Sequence, residues 1–285
     1  MNILVLGATG LIGSAIYGHL KKKHDLFGTF NDKKKIKKIK YKKDKLFYFD
    51  VLNKQNLINI INKTNPEIVI NCIGVTKHIK GISKKKFLII NSVFPHFAKE
   101  ISNNKSAKFI QISTDCIFNG KKGNYNEQSK PNASDIYGIS KALGEINDKN
   151  NLTIRTSTIG HELFTCYGLL EWFLNQKSSC NGYSKAIFNG FPSSYFAKII
   201  EKILLKKKIS GILHVSGVKI NKYTLLKKIK RIYKKDIVIK KNTAIKIDRS
   251  LNNKLLKYYF PKEKTNWDNL IKYMKNEHRK NSFKN

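Results

Sequence analysis

Tyr137 and Lys141 stand four residues apart in the stretch Asp-Ile-Tyr-Gly-Ile-Ser-Lys-Ala-Leu-Gly-Glu, residues 135 to 145. A helical run through Ile139, Ala142 and Leu143 puts the phenol and the ammonium on one face, one turn apart. An isolated phenol titrates at about 10, so it exchanges a proton with a substrate at neutral pH only where a nearby cation favours its phenolate. Lys141 is placed to do that. The competing reading is a core tyrosine beside one more solvated lysine in a lysine-rich chain. A second group of interest is Ser113-Thr114-Asp115, which follows the apolar run Phe109 to Ile112 and so sits where a buried strand runs out.

These residues need a scaffold, and the pattern supplies one. Residues 2 to 6 read as a buried strand and Leu11 to Lys22 as a helix, with Leu11, Ile12, Ala15, Ile16 and Leu20 at helical spacing. Between them Gly7, Gly10 and Gly13 form a Gly-x-x-Gly-x-x-Gly turn. Gly7 permits the tight bend, Gly10 lets the backbone approach a pyrophosphate, and Gly13 lets helix and strand pack closely. Leu11, Ile12 and Gly13 then open a helix whose N-terminus faces the phosphates. Strands at Leu26–Phe30, Leu46–Phe49, Ile68–Asn71, Phe109–Ile112 and Leu152–Thr156 alternate with helices at Lys54–Asn62, Phe87–Ser102 and around Tyr137. Such alternation predicts an α/β fold, a Rossmann doubly wound parallel sheet covered on both faces, with ligands beyond the carboxyl ends of the strands. The expected division is residues 1–157 as the nucleotide-binding domain and 158–285 as a smaller substrate-binding part. In the latter, 158–192 reads as a glycine- and aromatic-containing, loop-rich lid. It is followed by helices near 195–205 and 223–233 and a strand at 212–215, and some of these segments could return to the main sheet. The polar end from Asn276 reads as a frayed tail.

At 285 residues the chain can bury a sizeable core, and 41% hydrophobic residues fits a globular protein. No apolar run is long enough to span a bilayer. Gly7 comes too early for a signal peptide, which makes a cytoplasmic location the expectation. Cys72, Cys116, Cys166 and Cys180 lack metal-ligand spacing and are expected as reduced thiols, with no metal site. The formal net charge of +37 could indicate nucleic acid, but the lysines lie in scattered short runs, arginine is scarce, and aromatics do not interleave with them. Compositional bias accounts better for the charge, and a basic surface would attract a doubly charged nucleotide sugar.

The glycine turn, Ser113-Thr114-Asp115 and Tyr137-x-x-x-Lys141, in that order, resemble the short-chain dehydrogenase/reductase superfamily in its extended branch acting on nucleotide sugars. Within it the chain is most similar to the dTDP-4-dehydrorhamnose reductase family. That family's Ser-Thr-Asp-Tyr-Val-Phe-x-Gly is echoed by Ser113-Thr114-Asp115-Cys116-Ile117-Phe118-Asn119-Gly120. Its Arg-Thr-Ser matches Arg155-Thr156-Ser157, and its C-terminal Arg, Ser, Leu and Trp match Arg249-Ser250-Leu251 and Trp267. The resemblance implies that Thr114 hydrogen-bonds a C4 carbonyl, that Tyr137 supplies the proton, and that Lys141 lowers the phenol's pKa and holds the nicotinamide ribose. It also implies cofactor contacts from Asp50 and Val51 at the adenine, Cys72, Ile73 and Gly74 after the fourth strand, Asn91 behind the lysine, and Thr156. Asp50 reads equally as a helix N-cap. Asp115 and Thr158 are candidates to touch substrate, although an Asp directly after a strand is more often structural.

Cofactor choice is written at the end of the second strand, where an acid would hold the NAD ribose. With the strand ending near Asn31 no acid occupies that place and Lys33 to Lys35 lie close, which favours NADPH over NADH; Asp32, one residue on, keeps NADH open. The expected reaction is NAD(P)H-dependent reduction of a 4-keto-6-deoxy nucleotide sugar for surface polysaccharide synthesis, with a homodimer left open. Alternatives are a UDP-2-acetamido-2,6-dideoxy-4-keto-hexose reductase, a nucleotide-sugar epimerase, and a non-catalytic regulatory subunit. Cys116 stands where sugar dehydratases have glutamate, which disfavours dehydration. The lid departs from the family at Thr158-Ile159-Gly160-His161-Glu162, which leaves the sugar's identity open.

Overall fold

A computed structural model describes residues 1–36, 43–77, 79, 81–206, 208–262 and 265–282. Its centre is a seven-stranded parallel sheet. The strands are β1 (Asn2–Leu6), β2 (Asp25–Phe30), β3 (Leu46–Tyr48), β4 (Ile68–Asn71), β5 (Lys108–Thr114), β6 (Leu152–Thr156) and, further along the chain, β11 (Gly211–Val215). Their spatial order is β11-β6-β5-β4-β1-β2-β3, with every neighbour parallel. β4 and β6 are buried at every position, as strands covered on both faces must be.

Helices α1 (Leu11–Leu20), α2 (Lys33–Ile36), α3 (Lys54–Thr64), α4 (Lys84–Leu88), α5 (Phe94–Asn103) and α6 (Ile136–Leu143) fill the connections of the first half. On one face of the sheet Leu57, Ile61, Phe94 and Ala98 of α3 and α5 pack against Leu4, Leu6, Val69 and Phe109. On the other, Ile16, Tyr17 and Leu20 of α1 join Phe196, Ala197 and Ile200. The last three belong to α8 (Ser193–Leu205), so a helix from the second half completes the first half's cover. β11 likewise returns to the main sheet, its residues 211–215 in register with Leu152–Thr156.

The stretch 158–192 carries more regular structure than a loop-rich lid: β7 (Thr158–Ile159), α7 (Leu169–Leu174), β8 (Ser179–Tyr183), β9 (Ala186–Phe188) and β10 (Phe191–Pro192). Their partners are remote or very short. β8 pairs with β13 (Val238–Asn242), β9 lies between β12 (Ile220–Asn221) and β14 (Ile247–Asp248), and β10 pairs with β7. Helices α9 (Lys222–Tyr233), α10 (Lys254–Tyr259) and α11 (Trp267–Ser282) complete the chain. The expected frayed tail is instead the end of α11, anchored by buried Trp267, Leu270, Ile271 and Met274; residues 283–285 lie outside the described part. No helix among the described residues is long and apolar enough to cross a membrane.

Candidate active site

The glycine turn forms as its sequence demands. Gly7 adopts φ +79°, and its N–H donates to Thr29 Oγ1 at 2.9 Å while the N–H of Ala8 donates to the carbonyl of Thr29 at 2.8 Å. Thr29, almost fully buried at the end of β2, therefore fixes the turn, and a threonine in a strand carries no sequence signal of that role. A Cβ on Gly13 would lie 2.1 Å from the carbonyl oxygen of Gly7, so only glycine lets α1 sit this close to β1. Gly10 takes the N-cap position without a side-chain cap, and the first amides of α1, at Leu11, Ile12 and Gly13, are those a helix leaves unspent.

Around the adenosine side, Asn31 follows β2 and is exposed, and Asp32 Oδ1 accepts the N–H of Lys34 at 2.8 Å. The acid two residues past the strand thus caps α2. Asp50 is exposed and accepts the N–H of Leu52 at 3.0 Å. It is not the cap of α3, a role taken by Asn53, whose side chain accepts from Asn56. Val51 packs at the edge of the α3–α5 core. At the end of β4, Asn71 accepts the N–H of Ile73 at 3.0 Å and turns the chain so that Ile73 abuts Gly7.

Beyond that turn lies the part of the site nearest the expected chemistry. A Cβ at Gly74 would meet Asn91 Oδ1 at 3.3 Å and the Lys141 ammonium at 3.8 Å. Asn91 sits fully buried in a π-helical turn, Ile89–Val93, a distortion frequent at functional sites. It accepts from the N–H of Val75 at 2.8 Å and donates to Val75 O at 3.0 Å and to Ser140 Oγ at 3.1 Å, tying the loop after β4 to α6. Ser140, one residue before the lysine, was not foreseen as part of this link. Asp135 caps α6 through the N–H of Gly138 at 2.9 Å.

Thr114 is the last residue of β5. Its hydroxyl donates to Asp115 Oδ1 at 3.2 Å and accepts the N–H of Cys116 at 3.1 Å. Burial pushes the phenol of Tyr137 well above its ordinary pKa, with Cys116, Asp115 and Asp135 adding to the rise and the neighbouring Thr114 hydroxyl opposing it. Lys141, 6% exposed, donates to the carbonyl of Ile112 at 2.7 Å. Burial lowers it to about 8, opposed by Glu145 and Cys72. The Lys141 ammonium is directed to the β5 backbone, and burial makes Tyr137 a weaker acid, held in its protonated form.

A buried ion pair holds α6 in place. Arg155 Nη2 lies 2.7 Å from Glu145 Oε2 and Nε 2.9 Å from Oε1, with the two side chains 2% and 6% exposed, and Ser113 donates to Glu145 Oε1 at 2.7 Å. The Arg155-Thr156-Ser157 segment thus acts on the frame. Thr156 donates its hydroxyl to the carbonyl of Val215 at 2.8 Å, joining β6 to β11. Asp115 is pushed upward by burial, with Arg249 and hydrogen bonds from Cys116, Thr114 and Ser157 opposing that rise. Cys72 is pushed up to about 12 by burial, with Lys141 opposing. Thr158 lies half-buried in β7 opposite Phe191. His161 turns to a different cluster: it meets Glu171 at 2.6 Å and the Tyr233 hydroxyl at 2.9 Å, and stacks on His278 with ring centres 3.6 Å apart.

A parallel sheet with a glycine turn at the carboxyl end of β1 and Tyr137 and Lys141 packed beside the end of β5 is the architecture of the Rossmann-like short-chain dehydrogenase/reductase class. The RmlD substrate binding domain family matches residues 1–162, and the chain belongs to that family. It is 26% identical over 148 residues to methionine adenosyltransferase 2 subunit beta of Danio rerio, covering 50% of this chain and 42% of that protein. It is 26% identical over 149 residues to the probable low-salt glycan biosynthesis reductase Agl14 of Haloferax volcanii, covering 51% and 48%. The aligned stretch thus spans about half the length of each of these relatives. Among solved structures, the dTDP-4-dehydrorhamnose reductase of Bacillus anthracis in complex with NADP superposes with a TM-score of 0.80 at 20% identity, over 96% of this chain and 98% of that one. At that identity the likeness is one of fold.

Proposed function

We propose that the chain is an NADPH-dependent reductase that converts the C4 keto group of a 4-keto-6-deoxy nucleotide sugar to an alcohol, in surface polysaccharide precursor synthesis. The observation that carries this reading is Thr114 and Tyr137 side by side at the carboxyl edge of β5, with Lys141 buried behind them. The residues present fit a dinucleotide. The unspent amides of Leu11, Ile12 and Gly13 suit a pyrophosphate, nothing stands within 3.6 Å of a Cβ at Gly10, and Gly74 leaves a gap in front of Asn91 and Lys141. The capping role of Asp32, with Asn31 and Lys33 left exposed, supports NADPH over NADH. A reduced nicotinamide bound there would supply the hydride.

The chain's own groups would do the rest. Thr114 would donate a hydrogen bond to the C4 oxygen and orient it, keeping its own proton. Tyr137, kept protonated by burial, supplies the proton as the oxygen gains charge, help worth about 10² to 10⁴ in rate. Lys141 holds the ribose hydroxyls, with Asn91 fixing the loop in front of it. The parts of residues 158–285 outside α8 and β11, together with Thr158 and with Asp115 at the end of β5, would form the substrate side. A cytoplasmic location goes with this reading. A homodimer is supported by the exposed Leu88, Val93, Ile139 and Leu143 on the neighbouring α4, π turn and α6.

The likeness to a methionine adenosyltransferase subunit favours a second reading, a regulatory subunit that binds a dinucleotide without turning it over. Offering the purified protein NADPH or NADH with dTDP- and UDP-linked 4-keto sugars separates the two. Loss of reduced-cofactor absorbance, faster with NADPH, supports the reductase. Cofactor binding with no turnover of any of these substrates supports the regulator.

A further inference from the structure

The segment that follows β7 closes against the glycine turn. A Cβ at Gly160 would lie 3.2 Å from Leu11 Cδ1, at the first residue of α1, and 2.2 Å from Ser193 Oγ, at the start of α8. The chain therefore passes the dinucleotide helix with no room for a side chain, and the next residue, His161, carries the hold. Its Nδ1 lies 2.6 Å from Glu171 Oε1 of α7, and its Nε2 lies 2.9 Å from the Tyr233 hydroxyl at the end of α9. A carboxylate only accepts, so Nδ1 carries the proton of the neutral ring and Nε2 accepts from the phenol. On its face His161 stacks against His278 of α11, with ring centres 3.6 Å apart and planes 17° from parallel.

Two of these four residues are fixed posts. Buried Leu170 and Phe173 root α7, and buried Leu225, Leu226 and Ile229 root α9, so Glu171 and Tyr233 stand still. By contrast, no residue from 161 to 168 is fully buried, and His278 lies one turn past Met274, the last buried residue of α11. His161 ties the loop to the fixed helices, and the end of α11 covers His161. The charges around this stack are unbalanced. Loss of water and the neighbouring His161 lower the pKa of His278, and Glu171 opposes them. Arg279 acts on Tyr233, Lys275 lies 5.3 Å from the centre of the Tyr233 ring, and Lys234 acts on Lys275. The nearby acids are spent elsewhere: Glu277 pairs with Lys280 at 2.8 Å, and Glu162 accepts the N–H of Gly168 at 2.9 Å. Glu171 can offset one imidazolium. A second, stacked on the first beside Arg279, Lys275 and Lys234, would be repelled.

We propose that His161 is a positioning residue that holds residues 160–168 against the glycine turn and so retains the dinucleotide, and that charging both His161 and His278 releases it. The latch rests on the dinucleotide reading only for what lies beneath the segment. Cofactor binding then weakens as the medium turns acid, through a pair of rings on the far side of the covering loop.

The test joins amide hydrogen exchange with calorimetric titration of the acid-stable cofactor form, NADP⁺, at about pH 5 and about pH 8. In the wild type, protection of residues 160–168, corrected for the intrinsic exchange rate, is expected to fall about tenfold or more from the higher pH to the lower, and NADP⁺ affinity to fall with it. His278→Phe keeps the stack and cannot be charged. Its protection should be alike at the two pH values, and any affinity change it retains belongs to the 2′-phosphate of NADP⁺. His278→Arg is charged throughout and should be loose at both. His96→Gln, on α5, should behave as the wild type. Equal protection at the two pH values in the wild type, an acid loss that persists in His278→Phe, or opening of the loop with NADP⁺ affinity following that of His278→Phe would overturn the proposal. Opening that depends on His278 in a protein that binds no NADP⁺ at either pH would leave the latch standing and remove the dinucleotide reading.

Discussion

The ammonium of Lys141 donates a 2.7 Å hydrogen bond to the carbonyl of Ile112, on the strand that ends two residues later at Thr114. One contact thereby sets the height of α6 against β5 and holds the ammonium behind the site. Because burial lowers Lys141 to about 8, its positive charge is half lost at that pH. Activity is expected to fall as pH rises through about 8, read as kcat/KM between pH 6 and 10. Lys141→Arg should be less active and lack that alkaline limb. The sign for stability is opposite: the unfolded chain, with an ordinary lysine, binds the extra proton between about 8 and 10.5, so this residue's contribution rises with pH across that window. The stability gained by Lys141→Met over the wild type should therefore shrink from pH 8 upward.

Tyr137→Phe removes the proton donor and keeps the ring. The expected loss in kcat is about 10² to 10⁴, with NADPH affinity unchanged by fluorescence titration. Thr114→Val should also lower kcat, because it removes the hydroxyl that faces the phenol.

Glu145→Ala leaves Arg155 buried without its carboxylate. A loss of about 3–5 kcal/mol in urea unfolding is expected, from stranding a buried charge. Catalysis should fail with it, since the pair fixes the end of the segment that carries Tyr137 and Lys141.

Gly10 and Gly13 separate binding from folding. A Cβ at Gly13 meets the Gly7 carbonyl oxygen at 2.1 Å, so Gly13→Ala should unfold at lower temperature or fail to fold. At Gly10 the nearest atom is 3.6 Å away, so Gly10→Ala should melt like the wild type yet bind NADPH more weakly, the methyl standing where the pyrophosphate approaches.

The main sheet was legible because strands buried on both faces read as short apolar runs, and six of its seven members lie in a regular alternation with helices. β11 was visible as a strand, but its neighbour β6 is some sixty residues earlier, and local pattern does not reveal a partner. The same applies to β8, β9 and β12 to β14, two-to-five-residue strands of mixed polarity whose pairing is decided by the fold around them. Of the site, Tyr137, Lys141, Thr114 and the glycines announced themselves by type and spacing. Thr29 and Ser140 did not, because each works through a contact to a residue far away in sequence.

In the proposed reaction hydride and proton reach opposite ends of one carbonyl. Single-turnover reaction with NADPH carrying deuterium at nicotinamide C4 (the transferred position), using the 4-keto nucleotide sugar that is turned over, tests it most directly through NMR of the product. Deuterium bonded to sugar C4 in wild type, and none there over the same interval in Tyr137→Phe, is the predicted result. Deuterium at any other carbon, or equal labelling by the two proteins, would contradict it.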